Sequence, residues 1–412
     1  MPKLHFLFFF IAFSFSVSAQ EKNLDYFISS AISSSPLLKD YNNQKRSNVI
    51  DSLRILASYK PQVNAQSNNL YAPVIRGWGY DEAITNGINF GQLITFTKEI
   101  PNRKVLQNQF DAIQLQNNSL DVTSKISEQD LKKTIISQYI TAYGSWQQYS
   151  FNNTVYELLL REDTILKKLT QAGTYRQTDY LTFLVTLKQQ KLIVTQTRVQ
   201  YQSDLSTLNY LSGLQDTSFQ MLAEPGLQVN ALPEIESTVY YQKFSVDSMV
   251  LKNNDAQIDL SYKPKISLYA DAGYLSSFAY KSYKNFGTSF GINLSMPIYD
   301  GKQKKMQHDK VAIAEQTRQQ YRDYFKTQYN QQIAQLVQQL QAADEVITEA
   351  KDQLKYSEGL IQANRKLMTT GDARIADYII ALNNYLNAQN VITQNATNKL
   401  QIINQINYWN KQ

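Results

Sequence analysis

The sequence predicts a mainly α-helical chain with membrane-type β-strands, built as two copies of one strand–strand–long-helical-hairpin unit. Three observations carry that prediction, and the first is a duplication. The tetrapeptide SYKP stands at 58–61 and again at 261–264. Gly91 opens "GQLITFTKEIPNRK" and Gly291 opens "GINLSMPIYDGKQKK"; Leu169 opens "LTQAGTYRQTDYL" and Leu367 opens "LMTTGDARIADYI". These matches keep one order at offsets of 203, 200 and 198, the mark of a repeated unit of about 200 residues. The second observation is alternation. In 286–298, Phe286, Phe290, Ile292, Leu294, Met296 and Ile298 share one side, opposite Ser289, Gly291, Asn293 and Ser295. A run of about ten residues with one apolar and one small or polar face suits a tilted membrane strand. The third is the absence of proline from 102 to 224 and from 298 to the end, which leaves room for very long helices.

The elements follow in order. Residues 1–19 read as a secretory signal: Lys3, an apolar run from Phe6 to Phe15, then small residues at Val17, Ser18 and Ala19. The first repeat is expected over 20–212, with a helical stretch at 24–58, strands at about 61–72 and 87–98, and helices at 102–171 and 174–212. Ile88, Phe90, Ile94 and Phe96 alternate within the second strand, although Gln92 interrupts them. Residues 213–234 break both periodicities and form a linker. The second repeat, 235–412, has a helical stretch at 235–260, strands at about 264–275 and 286–298, and helices at 302–369 and 372–410. Apolar residues at 3-4 spacing (Ile135, Tyr139, Ala142, Trp146; Ile333, Leu336, Leu340, Ala343, Ile347) give the long helices a coiled-coil seam.

Each repeat places a glycine between its two long helices. Gly173 and Gly371 can take the left-handed conformation that ends a helix. Thr174, with Gln177 three residues on, reads as a capping box for the next helix, and Asp372 is expected to cap the equivalent helix in the second repeat. These are tight hairpin tips, far from the strands.

Composition narrows the function. The chain has no cysteine and a net charge of +6 spread along its length. Disulfides, thiolate metal sites and a lipid-modified cysteine are therefore not available. No basic cluster with interleaved aromatics points to nucleic acid. Outside the leader the one histidine is His308, in a Lys- and Gln-rich stretch that reads as a solvated helix face. No nucleophile elbow, phosphate loop or metal-ligand cluster is present, so an enzyme, a cofactor and a metal are not expected.

Four membrane strands cannot close a barrel, and open strand edges in lipid are forbidden. The strands are therefore expected to be shared with further copies. Three chains give a twelve-stranded β-barrel, continued by an α-helical barrel on the periplasmic side, in a homotrimer set in outer membrane lipid. A periplasmic adaptor would show one hairpin, not two tandem hairpins each preceded by strands. A secreted coiled-coil structural protein would leave the apolar strand faces unexplained.

At this point the sequence resembles the TolC-type outer membrane efflux proteins. The resemblance rests on the leader, the duplicated order, "MPIYDGKQKK" where a strand passes into a helix, and "AG…DYL" with "TG…DYI" at the tips. It implies a channel-tunnel of a tripartite efflux or type I secretion system in the cell outer membrane. The partners implied are a periplasmic adaptor gripping the tips and an inner-membrane pump of RND, ABC or MFS type. The tip signature falls on Gly173, Thr174, Arg176 and Asp179, and on Gly371, Asp372, Arg374 and Asp377. The gate position of the family carries over to Asp377, with Asp179 as its counterpart in the first repeat. Where the family has a second acidic gate residue this chain has Ile380. Where it has a latching tyrosine and arginine this chain has Met368 and Ala373.

Overall fold

The computed structural model describes residues 22–81, 87–216, 218–231, 234–278 and 281–409. The expected leader, 1–19, lies outside them. Seven α-helices and four β-strands are described: α1 Leu24–Ser34, α2 Pro36–Ser58, β1 Gln62–Tyr71, β2 Ile88–Ile100, α3 Arg103–Gln171, α4 Gln177–Leu211, α5 Val239–Ser261, β3 Lys265–Ser276, β4 Phe286–Ser295, α6 Gln303–Thr370 and α7 Ile375–Tyr408. The order is that of the expected duplication. Among the described residues, no helix is long and apolar enough to cross a membrane.

Several boundaries differ from expectation for local reasons. The stretch 24–58 is two helices, because Ser35 ends the first and caps the second. Its hydroxyl accepts from the Leu38 N–H, and Pro36 fills the first turn, where no donor is missed. Strand β4 stops at Ser295, not 298, since Pro297 has no N–H for the ladder. In place of a helix start at 235, a single 3₁₀ turn, Ile235–Ser237, leads to Thr238, whose side chain caps α5 by accepting from the Tyr241 N–H.

The chain divides into two compact units. One comprises Ser35–Asp130 and Ala231–Gln335 with Tyr408 and Trp409, and holds the sheet. Its strands lie in the order β1-β2-β3-β4, all neighbours antiparallel. The register puts Val63, Ala65, Ile94, Phe96, Leu268, Ala270, Phe290 and Ile292 on one face. Asn64, Gln66, Thr95, Asp271, Ser289 and Asn293 lie on the other. Phe290, Ile292 and Leu294 are open to the surroundings, and among the described residues β1 and β4 are the edge strands, each with one strand neighbour. Gln92, which interrupts the apolar alternation, donates to Ser67 Oγ (2.8 Å) and Asn69 Oδ1 (3.1 Å) on β1. The interruption is thus a cross-strand hydrogen-bonded cluster.

In the same unit, Val122, Val239 and Tyr240 form an aromatic-rich core with Phe325, Tyr408 and Trp409 around it. His308 departs from the expected solvated face. Its Nδ1 lies 2.6 Å from Asp255 Oδ1 on α5, beside a Lys304–Asp259 pair at 2.8 Å. The Asp255 carboxylate raises the imidazole's proton affinity above its ordinary value.

Among the described residues, the other unit comprises 22–34, Leu131–Asn230 and Leu336–Asn407. Here the predicted seam is observed: Ile135, Tyr139 and Ala142 are buried with Phe27, Tyr201 and Leu208. Residues 218–231 have no helix or strand and are tied down by side chains that donate to their carbonyls. Tyr139 Oη donates to Ala223 O at 2.7 Å, and Asn407 Nδ2 donates to Gln228 O at 2.7 Å. A second core, at the hairpin ends, gathers Val155, Leu159, Leu166, Phe183, Met368, Ile375, Tyr378 and Leu382.

Candidate functional site

The two hairpin tips are built alike. At the first, Gly173 sits at φ 80° and Thr174 N–H donates to Leu169 O (2.9 Å), while Gly173 N–H donates to Thr170 O (3.0 Å). At the second, Gly371 sits at φ 81°, with Asp372 N–H donating to Leu367 O (2.9 Å) and Gly371 N–H to Met368 O (3.3 Å). This six-to-one and five-to-two pairing satisfies carbonyls that the helix end would otherwise leave open. The left-handed turn predicted at both glycines is therefore present.

The caps predicted after it are not. Helix α4 begins at Gln177 with Arg176 in the cap position, in extended conformation and without a side-chain cap bond. Thr174 and Gln177 make no capping box, because the turn needs Thr174 as its second residue and the helix starts two residues too late. Asp372 likewise does not cap α7, which begins at Ile375. Its Oδ2 instead accepts from Thr370 Oγ1 at 2.6 Å, across the turn.

Side chains join one tip to the other. Tyr175 Oη lies 3.0 Å from Met368 O and 2.8 Å from Ala373 O, so one hydroxyl bridges the carbonyls on both sides of the second turn. A Cβ added at Gly371 would come within 2.8 Å of Thr174 Cγ2. Met368 and Ala373 themselves are buried in the core behind the tip. Their side chains serve packing, while their backbone carries the contact.

The two acidic positions have different surroundings. Asp377 accepts two bonds from Arg374, Nε to Oδ2 at 3.0 Å and Nη2 to Oδ1 at 2.9 Å. This i,i+3 pair stands in water, with Arg374 82% and Asp377 37% exposed. The guanidinium holds the Asp377 carboxyl below the usual carboxylate range. Asp179 occupies the first turn of α4, where its N–H donates to Arg176 O at 3.1 Å. Next to it, Tyr180 Oη donates to Asp163 Oδ1 at 2.9 Å. Gly173, Thr174, Arg176, Gly371, Asp372 and Arg374 are all exposed at the tips.

Two features were missed from sequence. Tyr175 had no periodic signal, since it lies in the turn. Glu162 had one: Val155, Leu159, Glu162 and Leu166 are all buried at 3-4 spacing, so a carboxylate occupies a seam position. Among the described residues, no cluster of His, Cys, Asp and Glu has the arrangement to hold a metal ion.

Four membrane-length strands with one apolar face, each pair leading into a long helical hairpin, define a class of duplicated sheet-and-hairpin proteins. No protein-family model and no curated protein matches the sequence, but solved structures match the fold. A structure of CusC, described for its transmembrane channel formation, superposes with a TM-score of 0.74 at 13% identity, covering 95% of this chain and 93% of that one. The outer membrane protein VceC from Vibrio cholerae gives 0.71 at 13% identity, over 95% and 97%. The MtrE outer membrane channel of Neisseria gonorrhoeae, in its open state, gives 0.72 at 12% identity, over 95% and 89%. The chain has the fold of the TolC-type outer membrane channels.

Proposed function

We propose that this protein is an outer-membrane channel-tunnel, working as a homotrimer in a tripartite efflux or type I secretion system. The observation that carries the reading is the four-stranded sheet with two edge strands and one apolar face open to its surroundings. Such a sheet is untenable alone in lipid, because each unpaired backbone group there costs several kcal/mol. Pairing β4 of one copy with β1 of the next removes both edges, and three copies close a ring of the width that leaves an aqueous lumen. The face bearing Asn64, Gln66, Thr95 and Asn293 then lines that lumen, and Phe290 and Ile292 meet lipid. The likeness to outer membrane channels supports the same reading.

Imaging of the protein extracted from outer membranes in mild detergent tests this. Elongated particles with three-fold end views are expected; a monomeric or water-soluble particle removes the channel reading.

The tips at Gly173 and Gly371 are the proposed docking point for a periplasmic adaptor, beyond which an inner-membrane pump supplies energy. Both turns place small, exposed residues at the extremity of long helices, where a partner's helical ends can approach the backbone. Gly173→Asp is expected to abolish adaptor capture while trimers persist; undiminished capture would move the docking point elsewhere. Asp377, with Asp179 as its counterpart, is the proposed gate-lining carboxylate.

A further inference from the structure

Glu162 has no role in the tip contacts or in the sheet. It lies on α3 in the apolar seam, its side chain 2% exposed, facing Arg365 of α6, which is 47% exposed. Arg365 Nε is 2.7 Å from Glu162 Oε1, yet that oxygen has no aligned hydrogen bond, and neither does the buried Tyr378 hydroxyl on α7. The charged and titratable groups that face Glu162 are Arg365 from α6, Tyr378 from α7 and Arg161 beside it on α3. Helix α4 contributes Phe183 and Leu187 to the same core.

Taking a carboxylate out of water is offset only when its partner is well placed and its remaining lone pairs are satisfied. Here the partner is a single half-exposed guanidinium, and no aligned bond reaches Glu162 Oε1. Burial accordingly pushes the Glu162 carboxyl above its ordinary value, and Arg365 offsets only part of that. If the helices part, Glu162 meets water and returns toward the ordinary range. The packed arrangement therefore binds the proton more tightly than the parted one, and acid favours packing.

We propose that Glu162 is a proton-operated lock between the two helical hairpins: protonated, it tightens α3, α6 and α7 against one another behind the tips; ionised, it favours their parting. The proposal rests on the channel reading for its consequence, which is a periplasmic end that closes as pH falls. Each unit by which the packed and parted pKa values differ changes the ratio of the two states about tenfold. Asp377 titrates on the opposite side of the ordinary carboxylate range, so the two responses fall in separate pH windows.

The test is amide hydrogen exchange over 155–166 and 361–382 in the purified full-length assembly, corrected for intrinsic rates. It is run at two pH values, one neutral and one acid, with single-channel conductance measured in parallel. In the wild type, acid is expected to slow exchange several-fold and lower conductance. Glu162→Gln, which resembles the protonated form, is expected to exchange slowly at both values. Arg365→Gln leaves the charge without its partner and is expected to exchange faster than wild type at the higher pH, converging with it in acid. Faster exchange in Glu162→Gln than in wild type at the higher pH would overturn the lock. So would a wild-type pH response in that variant, or an Arg365→Gln protein indistinguishable from wild type. If exchange follows the expected pattern and no conductance appears, the lock stands and the channel reading falls. Conductance with exchange indifferent to Glu162 gives the converse.

Discussion

At the first tip Gly173 turns the chain at φ 80°, and at the second Gly371 does so at φ 81°, each closed by the same two backbone bonds. The residues 198 positions apart around them have diverged. Tyr175 bridges two carbonyls of the second tip, whereas its counterpart Ala373 is buried and offers only its backbone. A Cβ at Gly371 would meet Thr174, while one at Gly173 would meet nothing within 4 Å. Asp377 is held by Arg374 through two bonds; Asp179 and Arg176 share only a backbone bond. Duplication has preserved the turn, which glycine dictates locally, and has left the side chains free to specialise. The first tip reaches out and the second is held.

The largest expected asymmetry is steric. Gly371→Ala must accept both the left-handed conformation, at about 1–2 kcal/mol, and a contact with Thr174 Cγ2 that forces a shift, at about 1 kcal/mol more. Gly173→Ala bears only the first. Thermal unfolding of the detergent-solubilised protein should therefore show Gly371→Ala as the more destabilised. Thr174→Ser, which removes the offending methyl, should restore part of the loss. Equal destabilisation, or no rescue, would mean the tips are not in contact at this point.

A smaller effect is expected from Tyr175→Phe. The ring still packs, and the bridging hydroxyl is lost from two carbonyls, worth about 1 kcal/mol. Hydrogen exchange should quicken over 366–376 and change little over 169–178, because it is the second turn that is held from outside. A uniform change at both tips would deny that Tyr175 acts in one direction.

How much of this could be read from sequence differs by level. The repeat, the strand faces and the left-handed turns were legible, because glycine spacing, alternation and the absence of proline act through the local chain. Element ends were less so: Thr174 and Gln177 have the letters of a capping box, but the turn after Gly173 needs Thr174 for its own closing bond. Pro297 should have ended β4 at once, as its missing N–H requires. Tyr175 and Arg365 were illegible, since their partners lie 193 and 203 residues away along the chain and no periodicity links them. Glu162 could have been found as the one carboxylate in a 3-4 row of apolar residues, Val155, Leu159 and Leu166, had the seam been followed that far.

The smallest expected difference is electrostatic, and it concerns the ring that Asp377 of three chains would form at the gate of the proposed trimer. Like charges gathered in a ring raise carboxyl pKa values, but within each chain Arg374 holds Asp377 below the usual range. A depressed carboxyl contributes stability that is present above its unfolded value and is lost as pH falls through the folded one. The contribution is slight here, because both groups stand in water and are screened. Its effect on permeation is the better probe. Each Asp377 is matched by its own Arg374, so the proposed ring is near neutral at pH 7. Arg374→Gln should uncover the carboxylates, raise their pKa and increase cation selectivity in single-channel recordings. Asp377→Ala should leave Arg374 unopposed and move selectivity toward anions. Opposite shifts from the two variants are what a lumen-facing pair requires. If neither variant alters selectivity or conductance, Asp377 lies away from the permeation path, and the second tip differs from the first in packing alone.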